Sequence, residues 1–166
     1  MTKFKKIRGS ITAPLGFQAA ARFCNVKKLG TGKGSNKGKK RDLALIVSDV
    51  PAKAAGMFTT NQICAAPVKL CIKHLQNNTA QAVIINSGNA NACTGLQGMA
   101  AAREMAALPG QALGLNSTNI LVGSTGRHGV QLPMATGRPR TPRRGAAGGR
   151  CRSRRHPARP GDASPP

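Results

Sequence analysis

The 166-residue chain has no tryptophan, no tyrosine and only four phenylalanines, so aromatic side chains make up 2% of it. That scarcity removes the stacking platforms on which single-strand nucleic-acid binders rely. Acids are almost as scarce, with four Asp and Glu against 26 Lys and Arg, for a formal net charge of +22. Asp42 and Asp49 flank an apolar run and Glu104 falls on a helical stretch, so a carboxylate pair for acid–base work is missing. No segment approaches the roughly 20 apolar residues that cross a bilayer, and the basic start Met1–Arg8 lacks the apolar core of a signal peptide. A soluble cytoplasmic protein, with no membrane partner, is the expectation. Cys24, Cys64, Cys71, Cys93 and Cys151 are odd in number and form no CxxC pair. Neither a disulfide framework nor a metal site is expected of them, but reduced, mostly buried thiols.

What is present is unevenly spread. After Met134 there is no Leu, Ile, Val, Phe or Met, and Arg, Pro, Gly and Ala dominate. The foldable part is therefore 1–134, and 135–166 reads as a disordered tail. Both parts are basic: 17 Lys and Arg against 3 acids in 1–134, and 9 Arg against 1 acid beyond. Such charge binds polyanions through counterion release whatever the protein does, so nucleic-acid binding by the Lys/Arg-rich loop and tail stands as the alternative function.

Lys27–Arg41 (KKLGTGKGSNKGKKR) cannot pack and reads as a solvated loop. It lacks GxxxxGK[ST] spacing, and Ser35 and Lys37 stand where GxGxxG needs its last glycine. Asp42–Val50 (DLALIVSDV), bounded by Pro51, predicts a buried strand, and Ala55–Thr60 a second. Pro67–Leu75 spaces Val68, Cys71, Ile72 and Leu75 as one face of a short helix, with His74 as a surface or packing residue. Ala82–Asn86 (AVIIN) predicts a third strand and Asn119–Val122 (NILV) a fourth. Between them, Leu96–Leu108 is rich in good helix formers, interrupted by Pro109-Gly110. Strands alternating with helices predict an α/β layered domain.

Two polar, glycine-rich turns follow buried strands: Asn86–Gly95 after AVIIN, and Gly123–Gly129 after NILV. Glycine lets backbone approach a ligand closely, and hydroxyl and amide groups there can face a developing negative charge. Asn, Ser and Gly also simply make tight turns. His128 near Thr125 has no visible orienting acid, so it makes a poor general base.

The strings ITAPLGFQAAA (11–21), RDLALIVSDVPAKAAGMFTTNQICAAPV (41–68), VIINSGNANACTGLQG (83–98) and LVGSTG (121–126) resemble ornithine acetyltransferases, also called glutamate N-acetyltransferases, in order over nearly all of 7–134. The resemblance implies a layered αββα sandwich, present here only in part. It implies an N-terminal-nucleophile enzyme that cuts itself at an Ala-Thr bond and passes acetyl from N-acetylornithine to glutamate through an acyl-threonine, in arginine biosynthesis. Acetyl-CoA is a further donor in bifunctional members, and no cofactor is implied. Thr125 and Gly126 match the family's oxyanion hole, while the nucleophile segment and the partner β-chain of an α2β2 heterotetramer lie beyond the matched strings.

The departures are informative. Met134-Ala135-Thr136 imitates the cleavage motif without its neighbours, and Arg127-His128 replace two small apolar residues of the family. A one-base frameshift turns GTC ATC into CGT CAT, Arg-His, and out-of-frame GC-rich DNA yields Arg, Pro, Gly and Ala. Residues 135–166 are thus expected to be a frameshift product, and the chain to be inactive alone. Were Thr136 a relocated nucleophile, the chain would be cut after Ala135. The expected intact mass is that of the uncut chain, 17.2 kDa, and two shorter species would reverse this reading.

Overall fold

A computed structural model of the chain describes residues 9–29 and 41–134. The basic loop at 30–40, the Thr136 position and the tail lie outside it. Four strands, β1 (Phe17–Arg22), β2 (Leu43–Lys53), β3 (Thr79–Asn89) and β4 (Ile120–Arg127), form one sheet in the order β1-β2-β3-β4. The first three are antiparallel neighbours, whereas β3 and β4 are parallel. A parallel pair needs a crossover, and helix α2 (Gly95–Leu113) supplies it. Helix α1 (Ala66–His74) connects β2 to β3.

Both helices cover the same face of the sheet. Ala66 and Leu70 from α1, Ala102, Met105 and Ala106 from α2, Ala82 and Ile84 from β3, and Ile120 and Val122 from β4 make one buried cluster. The fold is mixed α/β, and the described residues supply one α layer and one β layer of the expected sandwich. The buried side of α2 is a stripe of Gly98, Ala101, Ala102, Met105, Ala106, Pro109 and Gly110, spaced at helical i, i+3, i+4 intervals. Small residues let this helix lie close to its surroundings: a methyl on Gly110 would sit 3.4 Å from Ile120 Cδ1 on β4 and 2.9 Å from the Leu115 carbonyl oxygen of the turn that follows the helix.

Several predicted boundaries move. Pro109 does not interrupt α2, which runs on to Leu113 before Gly114 ends it at φ 70. The ring is buried in the sheet-facing stripe, which offsets the hydrogen bond that a mid-helix proline forfeits. Pro51 does not end β2 either, because the register shifts between Val47 and Ala52, and a bulge tolerates a residue without an N–H. Ala55–Thr60 is no strand: it finds no partner after the Ala54 N–H donates to Asn78 O at 3.0 Å. β3 and β4 run three and five residues past their predicted ends, so the two polar stretches begin as strand.

Helix α1 buries Ala66, Pro67, Leu70 and Cys71, leaving Ile72 exposed, so its inner face is rotated from the predicted one. His74 packs as expected, its Nδ1–H donating to Ile120 O at 2.8 Å. Strand β1 was not anticipated, since FQAAAR has weak strand character and is held by pairing with β2. Among the described residues no helix is long and apolar enough to cross a membrane.

Ile120 is fully buried at the centre of the cluster, so Ile120→Ala leaves a cavity among β3, β4 and α2. The substitution is expected to cost about 3–4 kcal/mol, read as a lower urea midpoint at unchanged m-value.

Candidate functional site

The carboxyl ends of the parallel pair β3 and β4 meet in a dense set of amides and hydroxyls. Asn86, Asn89 and Asn91 are each at most 1% exposed, a depth at which an unpaired amide would cost several kcal/mol. Every buried side-chain polar atom among the described residues is satisfied. Asn86 Nδ2 donates to Asn89 O at 2.8 Å, and its Oδ1 accepts the Ser124 hydroxyl at 2.5 Å, which joins β3 to β4. Asn89 Nδ2 donates to Val130 O and Gln131 O at 3.0 and 3.3 Å, while its Oδ1 accepts the Asn91 N–H at 2.7 Å. Asn91 in turn donates to Gly98 O at 2.8 Å and accepts the Thr94 hydroxyl at 2.7 Å. Gln131 Nε2 donates to Thr94 O at 3.0 Å. The network fixes the 90–94 segment and the 128–131 segment against each other.

Gly126 lies where the strands come closest. Its φ is +135, and a side chain there would overlap the backbone of Gly88 and Asn89, so no other residue fits. Gly88 in turn sits under Lys27, whose Cα would be 2.9 Å from an added methyl. Thr125 and Gly126 are both exposed at this strand end, and among the described residues no hydrogen bond engages the Thr125 hydroxyl. The arrangement therefore presents a free hydroxyl next to an exposed, rigidly held peptide.

Ionisable groups contribute little. Asp42 is buried, and its carboxylate accepts the N–H groups of Cys24 at 2.5 Å and Lys27 at 3.1 Å, holding the chain that packs on Gly88. Asp49 accepts from Gln18 Nε2 at 2.7 Å. His128 is exposed. The expectation of mostly buried thiols is corrected: of the four described cysteines only Cys71 is buried, Cys24 and Cys64 are half-buried and Cys93 is exposed. Cys93 lies in the 90–94 segment and opens onto the space before the first turn of α2. Among the described residues no three His, Cys, Asp or Glu side chains cluster as metal ligands.

The sequence model of the ArgJ family matches residues 28–148. The chain belongs to the ArgJ family. The match runs past Met134 into the Arg-rich stretch. The arginine biosynthesis bifunctional protein ArgJ of Symbiobacterium thermophilum is 48% identical over 128 residues, covering 77% of this chain and 30% of that protein. That of Thermosynechococcus vestitus is 46% identical over 135 residues, covering 81% and 30%. The chain thus spans about a third of the length of these curated ArgJ relatives. Among solved structures, ArgJ of Bacillus halodurans superposes with a TM-score of 0.68 at 36% identity, covering 77% of this chain and 62% of that one. Ornithine acetyltransferase of Mycobacterium tuberculosis, solved with ornithine, gives 0.67 at 38% identity, covering 76% and 64%. The sequence marked Thr125 and Gly126 and both polar stretches of this ArgJ chain, and the structure brings these together. It did not reveal that three of the asparagines are core residues, although SGNANA is unusually amide-rich for a turn.

Asn89→Ala removes three hydrogen bonds and strands the buried Asn91 N–H. The expected loss is about 2–4 kcal/mol, with faster amide exchange across 128–131.

Proposed function

We propose that this chain supplies the oxyanion-binding part of an acetyl-transfer site that moves acetyl from N2-acetylornithine to glutamate. The observation that carries the reading is the pairing of an unengaged Thr125 hydroxyl with the exposed Gly126 peptide, held by Gly88 and the asparagine network. A free hydroxyl beside a rigidly held peptide suits the oxygen of a tetrahedral acyl intermediate, because the peptide is already in position as charge develops and the hydroxyl is at liberty to turn toward it. In this scheme a threonine hydroxyl on a second polypeptide attacks the acetyl carbonyl, and Thr125 and Gly126 hold the resulting oxyanion. Ornithine leaves as the amine, and the glutamate amino group then takes the acetyl from the threonine ester.

The family membership supports this assignment, as does the ornithine complex of the Mycobacterium tuberculosis relative. The chain covers about 30% of the curated relatives but above 60% of the crystallised chains, which fits a family that works as two chains cut from one precursor. The sheet face away from the helices, with half-buried Ile46, Val83, Ile85 and Leu121, is where the second chain of an α2β2 assembly would pack. Curated relatives carry the name bifunctional, so acetyl-CoA is included as an alternative donor.

The test is acetyl transfer from N2-acetylornithine to glutamate, measured for the chain alone and after mixing with the C-terminal chain of an ArgJ relative. No turnover alone and turnover on mixing is the expected result, with Thr125→Ala lowering kcat by roughly 10²–10³-fold. Turnover by the unmixed chain, or a Thr125→Ala variant as fast as its parent, would reject the assignment.

A further inference from the structure

Between the first turns of the two helices lies a cavity of about 490 Å³, lined by Cys64, Ala66 and Lys69 on one side and Cys93, Gly95 and Met99 on the other. Two thiols from distant parts of the chain therefore share one space. A single hydrogen bond, Ala66 N–H to Asn91 O at 3.2 Å, pins the two segments together. Cys64 stands two residues before one end of that bond and Cys93 two residues after the other. Neither thiol is needed by the core: Cys93 is exposed, and the Cys64 thiol donates only to Asn61 O, 3.0 Å away on the irregular 54–65 segment.

We propose that Cys64 and Cys93 form a reversible disulfide across this cavity, made by exchange with a small anionic disulfide of the glutathione type. The Cys93 thiolate attacks one sulfur of the small disulfide, whose S–S bond breaks to release one thiolate. The Cys64 thiolate then attacks the Cys93 sulfur of the mixed disulfide, the protein S–S bond forms, and the second small thiol departs. Two protein thiols are oxidised and one small disulfide is reduced to two thiols, the protein's two protons passing to solvent or to the departing thiolates. Bridging brings the two Cα atoms to within about 4.4–6.8 Å. The 54–65 segment can supply that movement because no ladder or helix restrains it beyond Ala54. Lys69 on the cavity wall and the strongly basic chain favour approach of an anionic oxidant.

The other described thiols are poor competitors. Cys71 exchanges hydrogen bonds with the Val122 backbone at 3.2 Å, and burial pushes its thiol above the ordinary value. Burial, and then the negative charge of Asp42, push Cys24 up in the same direction. Both are held further toward the thiol form, and the thiolate is the form that attacks a disulfide.

The experiment incubates the full chain with oxidised glutathione, blocks remaining thiols by alkylation, and maps linked peptides by mass spectrometry. The expected result is a Cys64–Cys93 linked peptide as the main product, an intact mass lower by about 2 Da, and a Tm raised by roughly 5 °C or more. Cys64→Ser and Cys93→Ser each abolish the link, whereas Cys24→Ser and Cys151→Ser leave it. A glutathione adduct that persists on Cys93 without ring closure, or links scattered among all five cysteines, overturns the proposal. None of these readouts depends on acetyl transfer, so the pairing stands or falls separately from the proposed activity.

Discussion

At the carboxyl end of the parallel strand pair, Gly126 lies so close to the Gly88–Asn89 backbone that it has no room for a side chain, and Gly88 is closed in its turn by Lys27. Much of the remaining architecture around the site follows from that approach. It keeps β3 and β4 paired beyond the point where their apolar residues end, so that Ser87, Gly88 and Asn89 oppose Thr125, Gly126 and Arg127. Apolar burial cannot hold these positions, because none of the six is aliphatic. Hydrogen bonds must do so, and the Asn86–Ser124 bond, the Asn89 amide and the Ala90 N–H to Arg127 O bond at 2.9 Å are placed for it.

A buried amide network of this kind is stable only when it is complete. Each carboxamide has two donors and an acceptor, and each orphaned group forfeits its hydration without return. Here the three asparagines reach across to Val130, Gln131 and Gly98, so the network binds strand ends, a loop and the first turn of α2 into one unit. The apolar cluster beneath it, from Ile120 and Val122 to Ala102 and Met105, supplies the hydrophobic stabilisation. The division of labour is physical: the cluster makes the layers adhere, and the amides set the positions of peptides that a non-directional force would leave loose.

The sequence made the apolar part legible. LALIV, AVII and NILV announced three strands through β-branched runs, and the alanine-rich stretch announced α2. Local reasoning failed where tertiary contacts decide. FQAAAR becomes β1 only because β2 offers an open edge, and AGMFTT stays irregular because it pairs with no strand. Pro109 and Pro51 were read as breakers, yet one is buried on the sheet and the other lies in a bulge. At the proposed site, Thr125 and Gly126 were singled out by family resemblance, whereas the burial of Asn86, Asn89 and Asn91 was not foreseen, since composition alone does not separate an exposed Asn-Gly turn from a satisfied amide core.

The scarcity of acids then constrains what the site can do. Of the three acids in the first 134 residues, Asp42 holds the Cys24–Lys27 backbone and Asp49 is bonded to Gln18, while Glu104 lies within α2. Among the described residues no carboxylate is therefore placed beside Thr125 to act as a base. What remains at the strand ends are peptide N–H groups, hydroxyls and amides, within a chain of high positive charge. Such a surface suits negative charge, and the exposed His128 beside it has no orienting acid among the described residues. Under the proposed function, such a surface holds an oxyanion while another polypeptide supplies the nucleophile and its base, a division of roles that the scarcity of acids in this chain fits.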